Sequence, residues 1–124
     1  MGNPFVHAEL NTTDLEKSKK FYSKLFDWKY EEIPGADGLE YTTIEVGDTG
    51  GYGSGGGMLR QRMPGAPSAW MPYVLVDDVE AATKKAQSLG ATILKDVTEV
   101  AGMGSLSILT DPTGAIIGLW QTRM

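Results

Sequence analysis

Two stretches of the chain carry apolar side chains at helical spacing, and the second repeats the first. In the segment 13–26 a stripe runs through Leu15, Ser18, Tyr22, Leu25 and Phe26, the recurrence that puts residues on one face of a helix. In the segment 77–90 the stripe is Val79, Ala82, Ala86 and Leu89. Each stretch opens on a capping-box pattern, Thr13 with Glu16 and Asp77 with Glu80, in which a side-chain oxygen accepts from a free N–H of the first helical turn. Gly90 stands where a helix exit favours a residue at positive φ. Aligning Asp14 with Asp78 superimposes the two patterns, a period of about 64 residues (78 − 14).

Alternation with a period of two precedes both helices. In Phe5–Leu10, Val6, Ala8 and Leu10 share one face, and His7 and Glu9 lie on the other with Asn11. In Met71–Val76, Val74 and Val76 share a face opposite Met71, Tyr73 and Leu75. Three more strands are predicted after each helix, at about 28–33, 39–46 and 55–61 and then at about 91–98, 104–110 and 115–121. Pro34-Gly35, the glycine-rich stretch after Gly47, Gly102 and Asp111-Pro112-Thr113-Gly114 separate them. The order predicts an α+β fold of two tandem βαβββ modules: module one at 1–62, a linker at 62–69 and module two at 70–124, one domain in all. One helix covers one face of each four-stranded sheet. The bare faces must find each other, within the chain or across a dimer, and the cleft between them is the place to look for function.

Composition narrows the partners more than the chemistry. A length of 124 residues suits one domain with one core. The net charge of −5 and pI near 4.7 argue against nucleic acid and anionic membranes as partners. No cysteine is present, which removes disulfides, thiolate metal sites and a cysteine nucleophile. With no basic, apolar leader and no long apolar run, a cytoplasmic location is expected. Gly51, Gly53 and Gly56 match G-x-G-x-x-G, but Pro64-Gly65 leaves no room for the helix that a dinucleotide site needs, so a loop, with a lid as its functional version, is expected over 50–57.

His7 on the first strand, the Asp14-Leu15-Glu16-Lys17-Ser18 helix start, Phe21-Tyr22, Val76-Asp77-Asp78-Val79-Glu80 and the Asp111-Pro112-Thr113-Gly114 turn recur in a fixed order. In this the chain resembles the vicinal oxygen chelate superfamily, which includes glyoxalase I, bleomycin-resistance proteins and extradiol dioxygenases. The resemblance covers essentially the whole chain and implies a pair of modules around a cleft, often in a dimer. It also implies four metal-ligand positions: a His seven residues before each helix-start Asp and a Glu on the last strand of each module. Carried over, these fall on His7, Met71, Gly57 and Gly118. Only His7 can ligate a hard or borderline divalent ion, so neither a metal nor another cofactor is expected; any metal would have to recruit carboxylates such as Glu9 or Glu45.

Candidate chemistry gathers on the cleft faces. His7 and Glu9 are candidate catalytic acid–base residues, with the imidazole alternatively a vestigial ligand and the carboxylate a hydrated strand residue. Tyr73, Trp120, Met71, Leu75 and Leu59 form a candidate ligand-binding set, which could equally pack together and leave no cavity. Arg60 and Arg62 could meet an anionic group at the mouth. Three functions follow as expectations. The first is binding or sequestration of a small, flat or apolar molecule. The second is a lyase or isomerase acting on a small carbonyl compound through His7 and Glu9, and the third is a module whose cleft is only an interface. A small-molecule ligand and a homodimer are the expected partners.

Overall fold

The structure is a computed structural model that describes residues 2–35, 40–47 and 55–123. Eight strands and two helices follow in the order β1 (Phe5–Thr12), α1 (Leu15–Leu25), β2 (Lys29–Pro34), β3 (Glu40–Glu45), β4 (Gly56–Arg60), β5 (Ala69–Leu75), α2 (Val79–Ser88), β6 (Thr92–Val100), β7 (Gly104–Thr110) and β8 (Ile116–Thr122). This is the tandem βαβββ order, and the strand boundaries lie within two residues of those read from alternation. The two half-sheets do not stack face to face. They join edge to edge into one sheet, β2-β3-β4-β1-β5-β8-β7-β6, through antiparallel pairing of β1 with β5 within the chain. Laid flat, seven strand spacings would hold β2 and β6 roughly 34 Å apart. Ile33 of β2 and Lys95 of β6 nevertheless line one cavity, so the sheet curls and its concave face becomes the cleft.

The helices sit on the convex side. Asp14 and Asp78, one residue later than the predicted caps, are the N-caps: their Oδ1 atoms accept from Lys17 N at 3.0 Å and Ala81 N at 3.1 Å. Glu16 and Glu80 therefore fall too early to reach back, and act as negative charges in the first turn. Thr13 instead bonds Ser68 through its N–H at 2.9 Å, tying the helix start to the inter-module crossover. Gly90 does take the exit conformation, with φ of 104°.

The stripes are only partly buried. Leu15 and Tyr22 pack on the core of Leu10, Ile44 and Met58, whereas Leu25, Phe26 and Leu89 stay exposed. In α2 the seat is made by Val79 and by Thr83, whose hydroxyl donates to Val79 O at 2.5 Å and meets Ser107 Oγ at 2.8 Å. A hydroxyl pair between helix and sheet is invisible to a pattern built on apolar residues. Among the described residues no helix is long and apolar enough to cross a membrane.

The cap assignment is testable by urea unfolding. Asp78→Ala should cost about 1 kcal/mol, while Asp77→Ala should stay within about 0.5 kcal/mol of wild type. Equal losses would return the cap to Asp77.

Candidate functional site

The concave face encloses a cavity of about 310 Å³, at the lower end of the size range of small-molecule sites. β1 supplies His7 and Glu9, β4 Leu59, β5 Tyr73 and Leu75, and β8 Trp120, so six of the residues proposed from sequence line it together. Met71 does not. It lies beneath the wall in the core of Tyr73, Val100, Leu106 and Ile108. Val6, expected on the helix face, lines the cavity because the β1–β5 register slips between Phe5 and His7, a bulge that turns it inward. Arg62 lines the cavity and Arg60 does not appear in its wall. The expected lid at 50–57 falls mostly outside the described residues; only its end, Gly55 to Gly57, is placed, at the start of β4.

One end of the cavity is polar. His7 Nε2 lies 2.6 Å from the Tyr41 hydroxyl. Tyr73 donates to Glu9 Oε1 at 3.1 Å, and Asn11 donates to Glu9 Oε2 at 3.2 Å. The His7 ring also lies over Tyr41 and against the edge of Tyr73, with centroids 6.0 and 5.6 Å apart. Tyr41 is the residue that sequence reasoning missed. The signal was present, since alternation puts Tyr41 and Thr43 opposite the core residues Thr42 and Ile44.

Electrostatics follow from burial. Glu9 is only 3% exposed. Loss of hydration raises its pKa above the ordinary carboxyl range, against the opposing pull of Tyr73, the Arg62 charge, Asn11 and Tyr41. Burial lowers His7 below 6.5, so its imidazole is neutral at neutral pH. Burial, and then the Glu9 charge, raise both Tyr41 and Tyr73 above 10, which keeps their hydroxyls protonated as donors.

Three aromatic rings of this cavity lie over glycines of neighbouring strands. A Cβ added to Gly57 would overlap the Tyr41 hydroxyl, one added to Gly118 would overlap the Tyr73 ring, and one added to Gly104 would strike Trp120. The first two glycines are ligand positions implied by the family resemblance. Tyrosine side chains therefore occupy the space in which metal-binding carboxylates would begin. With His7 Nε2 engaged by Tyr41 and Met71 in the apolar core, the residues at the four positions do not fit a divalent ion. Nor do three His, Asp or Glu side chains converge elsewhere among the described residues.

Comparison with known proteins places these features in a family. The model of the Glyoxalase/Bleomycin resistance protein/Dioxygenase superfamily matches residues 5–119. The Mycobacterium tuberculosis protein named "Putative glyoxylase CFP32" is 35% identical over 122 residues, covering 94% of this chain and 44% of that protein. The Streptomyces peucetius "Anthracycline biosynthesis protein DnrV" is 28% identical over 130 residues, covering 91% of this chain and 45% of that protein. The chain thus spans less than half the length of these relatives. Methylmalonyl-CoA epimerase from Mycobacterium tuberculosis superposes with a TM-score of 0.69 over 97% of this chain and 88% of that one at 12% identity, which is a likeness of fold.

Two measurements probe the site without a ligand. A carboxyl whose folded pKa is raised stabilises the fold below its unfolded value, and that contribution is lost as pH rises through the folded value. The stability of Glu9→Gln relative to wild type should therefore climb as pH rises above the ordinary carboxyl range; a pH-independent difference would show that Glu9 titrates normally. The lowered His7 pKa acts on the acid side, where its contribution is complete above 6.5 and fades as pH falls through the folded value. Gly118→Ala should cost about 1–3 kcal/mol by crowding Tyr73. Added to Tyr73→Ala it should cost much less, and strict additivity in chemical denaturation would remove the ring-over-glycine account.

Proposed function

The chain belongs to the Glyoxalase/Bleomycin resistance protein/Dioxygenase superfamily, and we propose that its cleft binds a small, flat, largely apolar organic molecule without a metal ion. The carrying observation is the cavity wall: Leu59, Leu75, Val6 and Trp120 give it apolar surface beside the hydrogen-bonded cluster of His7, Glu9, Tyr41 and Tyr73. Such a wall gains from excluding water from a flat apolar ligand, while a few polar groups set orientation. The tyrosine-filled ligand positions support binding without metal chemistry, as in sequestration. The anthracycline-biosynthesis relatives fit a ligand of fused-ring type. An open cavity also weighs against a cleft that serves only as an interface.

A second reading has its own support. Glu9, held toward its protonated form, and a neutral His7 lie in one cavity and share the Tyr41–Tyr73 array. A carboxylic acid and an imidazole poised in this way suit acid–base catalysis of a lyase or isomerase type on a small carbonyl compound.

A thermal-shift screen of planar aromatic compounds separates these outcomes. Binders should raise the Tm of wild type, and in Trp120→Ala, whose apo Tm falls with the lost packing, the ligand-induced shift should be cut. Equal shifts in the variant would remove Trp120 from the site. Turnover of a bound carbonyl compound that disappears in Glu9→Gln, with binding retained, would select the enzyme reading. Elemental analysis should find divalent metal far below one equivalent per chain.

A further inference from the structure

The crossover between the modules is pinned at its start. Gln61 donates its N–H to Thr12 O at 2.8 Å, its side-chain amide donates to Pro67 O at 2.9 Å, and its Oε1 accepts from Met63 N at 3.2 Å. Arg62 stands between Gln61 and Met63, so its backbone is held where the two modules meet, and its side chain lines the cavity. Its positive charge acts on Glu9, Tyr41 and Tyr73, the polar end. Yet Glu9, the acid at that end, already accepts from Tyr73 and Asn11. Among the described residues no hydrogen bond or ion pair engages the Arg62 guanidinium.

We infer that the ligand of this cavity is an aromatic carboxylate, with its rings against Trp120, Leu59 and Leu75 and its carboxylate on the guanidinium of Arg62. This rests on the reading of the cavity as a ligand site. A planar fork of N–H donors matches a planar carboxylate through two parallel hydrogen bonds. A phosphate fits less well, because phosphate sites gather several donors, often at a helix N-terminus, and here both N-termini are capped by Asp14 and Asp78 on the convex side. Glu9 and Glu40, the latter exposed at the start of β3, are the acids of the wall and limit where the anion can lie.

The test is calorimetric titration of wild type, Arg62→Met and Trp120→Ala with benzoate, naphthoate and anthracene carboxylate, each beside its neutral amide. Wild type should bind at least one acid about tenfold more tightly than its amide, with the preference shrinking as salt is added. Arg62→Met should bind acid and amide alike, with amide affinity within about twofold of wild type. Trp120→Ala should weaken both members of a pair together. Amides that bind as tightly as acids to wild type, or an acid preference that survives in Arg62→Met, would overturn the carboxylate assignment while leaving the cavity a ligand site. No binding by any pair would overturn both.

Discussion

Everything concave in this molecule depends on the antiparallel pairing of β1 with β5. In that register His7 faces Tyr73 and Glu9 faces Met71 across the strand pair. Each module therefore presents, beside its own residue, the other module's counterpart of the next one along. The same pairing joins two four-stranded half-sheets into one sheet that curls, because right-handed twist accumulates over eight strands. Without it each module would expose a bare sheet face and an open strand edge, and neither half of the cavity would exist.

Within that frame, glycines decide what occupies the cleft. Strand glycines weaken a sheet when nothing covers them, but Gly57, Gly118 and Gly104 are covered by Tyr41, Tyr73 and Trp120. The exchange works in both directions. An aromatic ring can lie flat on the sheet only where the neighbouring strand lacks a Cβ, and the bare backbone is shielded only where the ring lies down. A glutamate at Gly57 or Gly118 would need the ring gone, so the tyrosines and the family's carboxylate ligands are mutually exclusive in this space. Tyr41 also engages His7, and Tyr73 shares the buried Glu9 carboxyl with Asn11.

Much of this was legible in the chain. The helical stripes, the alternation at Phe5–Leu10 and the repeat between Asp14 and Asp78 locate the elements, since each reflects a local period that backbone geometry imposes. The cleft faces of His7, Glu9, Tyr73, Leu75 and Trp120 follow from the same alternation. What escaped depends on contacts between distant residues. Val6 turns inward because of a bulge that only the pairing with β5 creates. Met71 sinks into the core because Val100, Leu106 and Ile108 of module two fill that part of the concave face. Tyr41 acquires meaning only from Gly57, sixteen positions away (57 − 41), and from His7 on the next strand but one.

The two modules repeat in backbone and diverge where they face the cavity. Module two packs Met71, Val100, Leu106 and Ile108 into an apolar floor, while module one keeps His7, Glu9, Tyr41 and the adjoining Arg62. On the convex side the repeat is kept in kind: an Asp cap starts each helix, and the helix rests on the sheet of its own module. Convex positions are constrained by the need to seat a helix. Concave positions are free of that demand once β1 and β5 have paired, and can change chemistry at little cost to the fold. His7, Glu9 and Tyr41 from module one beside Met71, Val100, Leu106 and Ile108 from module two are what such divergence yields.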